Sequence, residues 1–176
     1  MSKIIIGVMG AGAEEWNEFA EPLGRLIAAK GFDLLTGGGT GVMTSVSRTY
    51  KQSGFASGRT IGIIPTIKNA DGSYTPKDNY PNDYIDIPIL TPLGVFDGTD
   101  PNQVSRNWVN IMTSHAIIAL PGSKGTKNEI ALALMFKKPT LLFGPRATDI
   151  FQDFDIPKTD QIADVELFLD GLTIQE

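Results

Sequence analysis

The residues best suited to binding chemistry in this chain lie in three glycine-containing turns, each of which follows an apolar segment. The turns contain Gly10-Ala11-Gly12, residues 37–41 and residues 122–125. Glycine lets a backbone approach a ligand closely, and a helix that begins after such a turn offers N–H groups without partners inside the helix. Such groups bind anions. One glycine turn needs no ligand to explain it, but three together favour a phosphate-bearing or nucleotide-like ligand.

Two charged residues near these turns are candidates for a direct role. Glu129 has two interpretations that do not exclude each other. It completes a capping box with Thr126, and its carboxylate faces the ligand to accept hydrogen bonds from ribose hydroxyls or to assist bond cleavage. Arg106 is either a solvated surface side chain or a phosphate clamp at the same sheet edge. Lys124 and Lys127 would add positive charge there. The candidate ligand-binding residues are therefore Gly10, Ala11, Gly12, Gly37, Gly38, Gly39, Thr40, Gly41, Val42, Met43, Arg106, Pro121, Gly122, Ser123, Lys124, Gly125, Thr126 and Glu129.

Other classes of site lack the residues that they require. The first turn, G-A-G-A-E-E, lacks the third glycine of the dinucleotide-binding fingerprint, so we expect no NAD. The chain has no G-x-x-x-x-G-K-[ST] segment, which argues against ATP hydrolysis. It has no cysteine and a single histidine, His115, which we expect to be structural or at the surface. We therefore expect no metal ion held by protein side chains.

Length and composition limit the class of protein. The 176 residues suffice for one α/β domain, and 41% hydrophobic with 20% charged residues is typical of a folded soluble protein. A net charge of −5 argues against a nucleic-acid partner, which requires a basic face. No segment approaches the length of a membrane span, and Met1 is followed at once by a strand-like segment. We therefore expect no membrane association and a cytoplasmic location.

To bring the three turns to one site, the strands before them must share one parallel sheet. Apolar runs predict strands at residues 3–9, 32–36, 60–65, 85–90, 116–120 and 139–143. Amphipathic segments predict helices at residues 15–30, 42–52, 101–113, 126–137 and 162–172. This alternation predicts a single α/β domain over residues 1–176. We expect a doubly wound, mainly parallel, Rossmann-like sheet with helices on both faces and the turns at its carboxyl edge.

Residues 66–84 interrupt the alternation of strands and helices. The segment is polar, contains Asp71-Gly72 and two prolines, and carries three of the four tyrosines, at positions 74, 80 and 84. A loop of this length in a compact domain is usually functional or disordered. The segment is therefore interpreted either as a surface excursion or lid beside the site, or as a simple insertion.

The motifs of this chain resemble those of the family once named lysine decarboxylase-like, which includes the cytokinin-activating phosphoribohydrolases. The hallmarks of that family, G-G-G-x-x-G-x-M and P-G-G-x-G-T-x-x-E, resemble residues 37–43 and 121–129 here. The segment 61–65 also fits, and the resemblance covers about residues 3–144. In the hydrolases the catalytic pair is an arginine upstream of the second motif and the glutamate that ends it. By motif position these are Arg106 and Glu129.

Several positions are more similar to a sister branch, the molybdenum cofactor carrier proteins. Ser123 stands in place of the second glycine of the hydrolase motif, Asn128 in place of an acid, His115 in place of an aspartate and Asn107 in place of a basic residue. The carriers share with this chain the segments G-V-M-G-x-G, L-L-T-G-G, D-I-P-I and E-I-A-L-A-L-x-x-K-K-P, which are residues 7–12, 34–38, 86–89 and 129–139.

This resemblance implies a protein that binds molybdenum cofactor (molybdopterin, a pterin with a phosphate and a molybdate-bearing dithiolene) as cargo, protects it and hands it over without transforming it. It also implies a homo-oligomer (dimer or tetramer), with molybdoenzymes or cofactor-synthesis proteins as partners. The protein would contribute no sulfur to molybdenum, since it has no cysteine. One alternative is a phosphoribohydrolase that releases base and ribose 5-phosphate from a nucleoside 5′-monophosphate. A weaker one is a nucleotide-sensing module.

Overall fold

The computed structural model describes residues 3–55, 57–98, 100, 103–145 and 149–172. Within these ranges the strands are β1 (Ile5–Met9), β2 (Asp33–Thr36), β3 (Thr60–Lys68), β4 (Tyr74–Pro76), β5 (Ile87–Thr91), β6 (Ala116–Ala119), β7 (Thr140–Phe143) and β8 (Lys158–Thr159). The helices are α1 (Asn17–Ala29), α2 (Val42–Gln52), α3 (Arg106–Thr113), α4 (Lys124–Met135), α5 (Asp149–Gln152) and α6 (Ile162–Asp170).

The strands form one mainly parallel sheet. Its parallel part runs in the order β5-β3-β2-β1-β6-β7-β8, and β4 pairs antiparallel with the end of β3. At the centre, Ile6 of β1 lies between Leu34 of β2 and Ala116 of β6. Strands β6 and β7 are buried along their whole length, as is usual for parallel strands that are covered on both faces. The predicted Rossmann-like α/β fold is confirmed.

Helices cover both faces of this sheet, as predicted. Successive side chains of a strand point to opposite faces, so each central strand contributes to two cores. Ile6 and Val8 pack in the core beneath α1, α2 and α6, whereas Met9 and Ile117 pack in the core beneath α3, α4 and α5. Within the described ranges, no helix is long and apolar enough to span a bilayer.

The order of the strands changes direction between β1 and β6. The chain moves outward from β1 through β2 and β3 on one side, and from β6 through β7 and β8 on the other. At such a switch point the connections after two adjacent strands diverge and leave a crevice at the carboxyl edge, where ligands bind in this class of sheet. The turns after β1 and β6 flank that crevice, and the turn after β2 lies one strand further.

Residues 66–84 do not form the predicted loop throughout, so that prediction is partly wrong. Strand β3 continues to Lys68 and forms a hairpin with β4, with Ile67 opposite Thr75. The turn between them is closed by Asp71, whose carboxylate accepts the Ser73 N–H at 2.9 Å. Asp71-Gly72 is a hairpin signal as well as a loop signal, which explains the difference.

The starts of α3 and α4 differ from the prediction in ways that change the site. Helix α4 begins at Lys124 and not at Thr126, and α3 begins at Arg106 and not at residue 101. Ser105 caps α3, because its side chain accepts the Asn107 N–H. Residues 101 and 102 lie outside the described residues. The short elements α5 and β8 were not predicted, since so few residues carry no readable hydrophobic period.

Candidate functional site

The three glycine turns meet at the switch point. The Ala11 N–H donates to the Pro121 carbonyl at 3.0 Å, and the Val42 N–H donates to the Ala11 carbonyl at 2.9 Å. The Thr40 hydroxyl donates to the Gly12 carbonyl at 2.6 Å. These bonds join the first turn to both of the others, so the turns form one continuous backbone surface. The structure thus brings together the segments that the sequence analysis selected.

A cavity of about 210 Å³ opens at this surface. Its lining includes half of the candidate residues, namely Gly10, Gly12, Gly37, Met43, Arg106, Ser123, Gly125, Thr126 and Glu129. Several other candidates belong to the turns without appearing in that lining, namely Ala11, Gly38, Gly39, Thr40, Gly41, Val42, Pro121 and Gly122. The wall is completed by Val8, Met9, Tyr80, Val95, Phe96 and Asn107.

The first turn of α4 contributes backbone donors to the cavity. Ser123 precedes the helix in an extended conformation, and its side chain makes no capping hydrogen bond. The Lys127 N–H donates to the Ser123 carbonyl at 3.0 Å, so the amides of residues 124–126 precede the first bond within the helix. The helix dipole and these amides together favour a bound anion.

The capping-box interpretation of Glu129 is wrong. Because α4 begins at Lys124, Thr126 lies inside the helix and is not its N-cap. The Glu129 carboxylate instead accepts a hydrogen bond from the Asn110 side-chain amide at 3.0 Å, across the gap between α3 and α4. Glu129 is buried and lines the cavity, and a role of its carboxylate toward a ligand stays a prediction.

Burial makes the Glu129 carboxyl a weak acid. Its removal from water raises its pKa to about 7, although the hydrogen bond from Asn110 and the positive charge of Arg106 act in the opposite direction. The carboxyl therefore gains and loses a proton close to neutral pH. Carboxyl groups with a raised pKa are common at functional sites, and they also occur where a carboxyl is merely buried.

Arg106 reaches the cavity from the first turn of α3, but its guanidinium is largely occupied by protein atoms. One terminal nitrogen, Nη1, donates to the carbonyls of Gly37 at 2.7 Å and Ile63 at 3.0 Å. The other, Nη2, donates to the Tyr80 hydroxyl at 3.2 Å. Its Nε is buried without a partner in the described part of the chain. The predicted position at the sheet edge is thus observed, but the side chain also fastens the turn after β2.

The segment after the hairpin is fastened to the same turn. The Asn82 N–H donates to the Gly38 carbonyl, and its side-chain amide to the Gly39 carbonyl, both at 2.8 Å. The Tyr80 ring lies against Gly39, where an added Cβ would be 2.7 Å from a ring carbon. Tyr80 and Asn82 therefore hold this segment against the turn after β2, and Tyr80 lines the cavity.

The lysines of α4 are not at the cavity. The Lys124 ammonium donates to the Asp97 carbonyl at 2.6 Å, and Lys127 forms an ion pair with Asp153 at 2.7 Å. Both line a separate, mainly apolar groove on the outer side of α4. Lys124 is therefore a candidate residue that the structure does not bring to the cavity. Residues 124 and 127 occupy one side of the helix, and Glu129 another.

His115 lies at the opposite end of the sheet. Its Nδ1 accepts the Ile5 N–H at 3.0 Å, which confirms the expectation of a structural residue. No group of three or more acidic, histidine or cysteine side chains that could hold a metal ion occurs within the described ranges.

Sequence reasoning missed several residues of the site. Asn110 holds Glu129, and the Asn107 side-chain amide donates to the Asn128 side chain at 2.9 Å, which ties α3 to α4. Tyr80 comes from the connection between β4 and β5, and Phe96 from the connection between β5 and α3. Tyr80 had a signal, since it lies in the long polar segment, and Asn107 was noted only as a departure from the hydrolase motif. Buried asparagines on a helix have no comparable signature in a single sequence.

Comparison with solved structures identifies close relatives in fold. The molybdenum cofactor carrier protein of Chlamydomonas reinhardtii is 32% identical, with a TM-score of 0.72, and the match covers 96% of this chain and 97% of that protein. The molybdenum cofactor binding protein of Rippkaea orientalis is 35% identical, with a TM-score of 0.63, over 97% of this chain and 85% of that protein.

Sequence comparisons agree with these structural matches. A protein of Archaeoglobus fulgidus, described only as uncharacterized, is 34% identical over 155 residues, which is 83% of this chain and 88% of the relative. Residues 3–167 match the sequence model of the SLOG cluster4 family. The match spans nearly the whole chain and agrees with the lysine decarboxylase-like motifs and with the structural relatives. The chain therefore belongs to the SLOG cluster4 family.

Proposed function

We propose that this protein binds molybdenum cofactor, protects it and hands it over without transforming it. The observation that carries the proposal is the similarity, along almost the whole chain, to the solved carrier protein of Chlamydomonas reinhardtii and the cofactor-binding protein of Rippkaea orientalis. The cavity adds a physical reason, because it combines helix-start amides with a buried arginine at the switch point of the sheet.

The phosphate or oxyanion of the cofactor would lie on the backbone surface of the three turns. The amides at the start of α4 would donate to it, and Arg106 would contribute positive charge. A protein with a net charge of −5 attracts an anion only through such local groups. The Nε of Arg106, which has no hydrogen-bond partner among the described residues, also fits a ligand that carries acceptors.

A carrier needs affinity without preference for a transition state. Arg106 and Glu129 can therefore be retained for binding even where the residues around the hydrolase motif have changed. The molybdenum belongs to the cargo, and its sulfur ligands would come from the pterin dithiolene. Residues 66–84 would shield this oxidation-prone group, since Tyr80 already forms part of the cavity wall.

The remaining parts of the proposal concern the setting of the protein. We propose that it acts in the cytoplasm as a homo-oligomer (dimer or tetramer), with molybdoenzymes or cofactor-synthesis proteins as partners and without nucleic acid, NAD or membrane.

The second candidate is a phosphoribohydrolase that acts on nucleoside 5′-monophosphates. It is favoured by one observation, that Arg106 and Glu129 line the same cavity. Glu129 would orient the ribose hydroxyls or stabilise developing oxocarbenium charge. Two facts count against it. Both terminal nitrogens of Arg106 already donate to protein atoms, and a carboxyl with a pKa of about 7 is partly neutral at physiological pH.

Two assays on the purified protein separate these functions. The first incubates it with AMP and an N6-modified analogue and measures free base. The second measures binding of isolated molybdenum cofactor and its half-life in air. We expect no base release, and a longer half-life for the bound cofactor. Glu18→Ala, on the exposed side of α1, is the control variant. Base release that is lost in Glu129→Ala but kept in Glu18→Ala would overturn the carrier proposal. Failure to bind or protect the cofactor would overturn it too.

A further inference from the structure

Tyr80 occupies a fixed position between the turn after β2 and Arg106. One side of its ring meets Gly39, and the Arg106 guanidinium lies 5.1 Å from the ring centroid. Two hydrogen bonds from Asn82 to the backbone of residues 38 and 39 hold the adjoining chain in place. The ring therefore packs against both the turn and the guanidinium, and its hydroxyl is its polar group at the cavity.

The direction of the bond between Arg106 and Tyr80 is set by chemistry. A guanidinium can only donate hydrogen bonds, so Arg106 Nη2 donates and the Tyr80 oxygen accepts. The hydroxyl proton of Tyr80 must then point elsewhere. Within the part of the chain that the structure describes, it has no protein acceptor, and Tyr80 lines the cavity.

We propose that Tyr80 is a ligand-binding residue of this cavity, whose hydroxyl donates to an oxyanion of the ligand and conveys to it the positive charge of Arg106. A hydroxyl that accepts a bond from a cation is a stronger donor, because hydrogen bonds in a chain polarise one another. Transfer of the charge through Tyr80 is needed because Nη1 of Arg106 already donates to two backbone carbonyls. The inference rests on the proposed function in one respect, that the ligand is anionic.

The same contacts explain why glycine stands at position 39. A Cβ there would lie 2.7 Å from Cε1 and 3.0 Å from the hydroxyl oxygen of Tyr80, closer than packed atoms approach. Alanine would push the ring away from the turn and move the hydroxyl relative to Arg106. Gly39 thus acts as a positioning residue for Tyr80, although it does not itself line the cavity.

The test measures binding of inorganic phosphate and of molybdate by calorimetry, for the wild type, Tyr80→Phe, Gly39→Ala and the control Tyr74→Phe. Phenylalanine keeps the ring between Gly39 and Arg106 and removes only the hydroxyl. Tyr74 lies exposed on β4, outside the cavity. We expect Tyr80→Phe and Gly39→Ala to weaken oxyanion binding by roughly tenfold or more, since a hydrogen bond to a charged group is lost. Tyr74→Phe should bind like the wild type.

A spectroscopic signal distinguishes donation by the hydroxyl from a purely structural effect. Oxyanion addition should red-shift the tyrosine absorption of the wild type and of Tyr74→Phe, but not of Tyr80→Phe. Unchanged affinity in Tyr80→Phe, equal losses in both tyrosine variants, or no oxyanion binding by the wild type would overturn the inference. If the cofactor binds while Tyr80→Phe has no effect, only this inference fails. If oxyanions bind through Tyr80 while the cofactor does not, only the proposed function fails.

Discussion

Glu129 carries a buried carboxyl group with little compensation for its lost hydration. Its hydrogen-bond partner is the neutral amide of Asn110, and no ion pair links Glu129 to Arg106, although Glu129 and Arg106 line the same cavity. Burial of a charge without a paired countercharge is unfavourable, so the neutral form becomes competitive and the pKa rises to about 7. A bound anion nearby would favour the neutral form further.

This raised pKa makes folding stability depend on pH. The pKa of Glu129 is about 7 in the folded protein, against the ordinary 4.5 of a glutamate in the unfolded chain, so the unfolded state releases the proton first as pH rises. Below pH 4.5 the carboxyl is neutral in both states and costs nothing. Between pH 4.5 and about 7 the stability falls, by roughly 3 kcal/mol in total, and then levels off.

Glu129→Gln should remove this dependence, because glutamine keeps the size of the side chain and has no proton to lose. Urea unfolding across the pH range from below 4.5 to above 7 measures it. The difference in unfolding free energy between wild type and Glu129→Gln should change by roughly 3 kcal/mol across this range. A constant difference for Glu129→Gln would show that its pKa is not raised.

At the scale of elements, the close packing of α1 on α2 depends on one glycine. A Cβ added at Gly24 would lie 2.3 Å from the Thr49 hydroxyl and 2.5 Å from the Val46 carbonyl. Because the carbonyl belongs to the backbone of α2, it cannot move aside without moving the helix. The start of α2 also adjoins the turn after β2, so this contact supports the position of one wall of the site.

We expect Gly24→Ala to lower the free energy of unfolding. Alanine favours a helix over glycine by about 1 kcal/mol, but overpacking at a rigid contact costs about 1–3 kcal/mol. The cost of overpacking exceeds the gain in helix propensity, because the added Cβ clashes with the backbone of α2. Thermal or urea denaturation measures the change.

Gly125→Ala is the matched control, since Gly125 also lies in a helix. An added Cβ there meets no heavy atom within 4 Å. It should therefore leave stability unchanged or raise it by about 0.5 kcal/mol. If Gly24→Ala were as stable as Gly125→Ala, the two helices would have to be packed less tightly than their geometry indicates.

At the scale of the whole molecule, the helix layer that carries the site leaves apolar side chains exposed. Met112 at the end of α3 is 59% exposed, and Met135 at the end of α4 is 52% exposed. The two helix ends are neighbours, since the Lys138 ammonium donates to the Met112 carbonyl and Trp108 packs edge-on against Phe136. Adjacent exposed apolar groups are typical of an interface between subunits.

The proposed homo-oligomer can be tested on this layer. We expect light scattering to give a mass of two or four times the 19.0 kDa chain, and Met112→Lys with Met135→Lys to shift it toward the monomer, because a lysine in an apolar interface loses hydration. Leu167→Lys changes a 70% exposed residue of α6, on the opposite face, and should leave the mass unchanged. A monomeric wild type would contradict the proposal.

Local patterns in the sequence were enough to predict the general architecture and the edge of the sheet that carries the site. Apolar runs and amphipathic periods predicted the parallel sheet with helices on both faces, since both are set by the direction of side chains along a strand or helix. The glycine turns after β1, β2 and β6 predicted a site at the carboxyl edge, because parallel strands end at one edge.

Only the tertiary structure decided which side chains enter the cavity. Helix α4 begins two residues earlier than its T-K-N-E signal suggested, and each residue of an α-helix turns its side chain by about 100°. That rotation places Glu129 against Asn110, and leaves Lys124 outside. The contact between Tyr80 and Arg106 joins residues 26 positions apart, and no local period encodes such a distance. The packing of helices and connections against the sheet therefore decides which of the candidate side chains line the cavity.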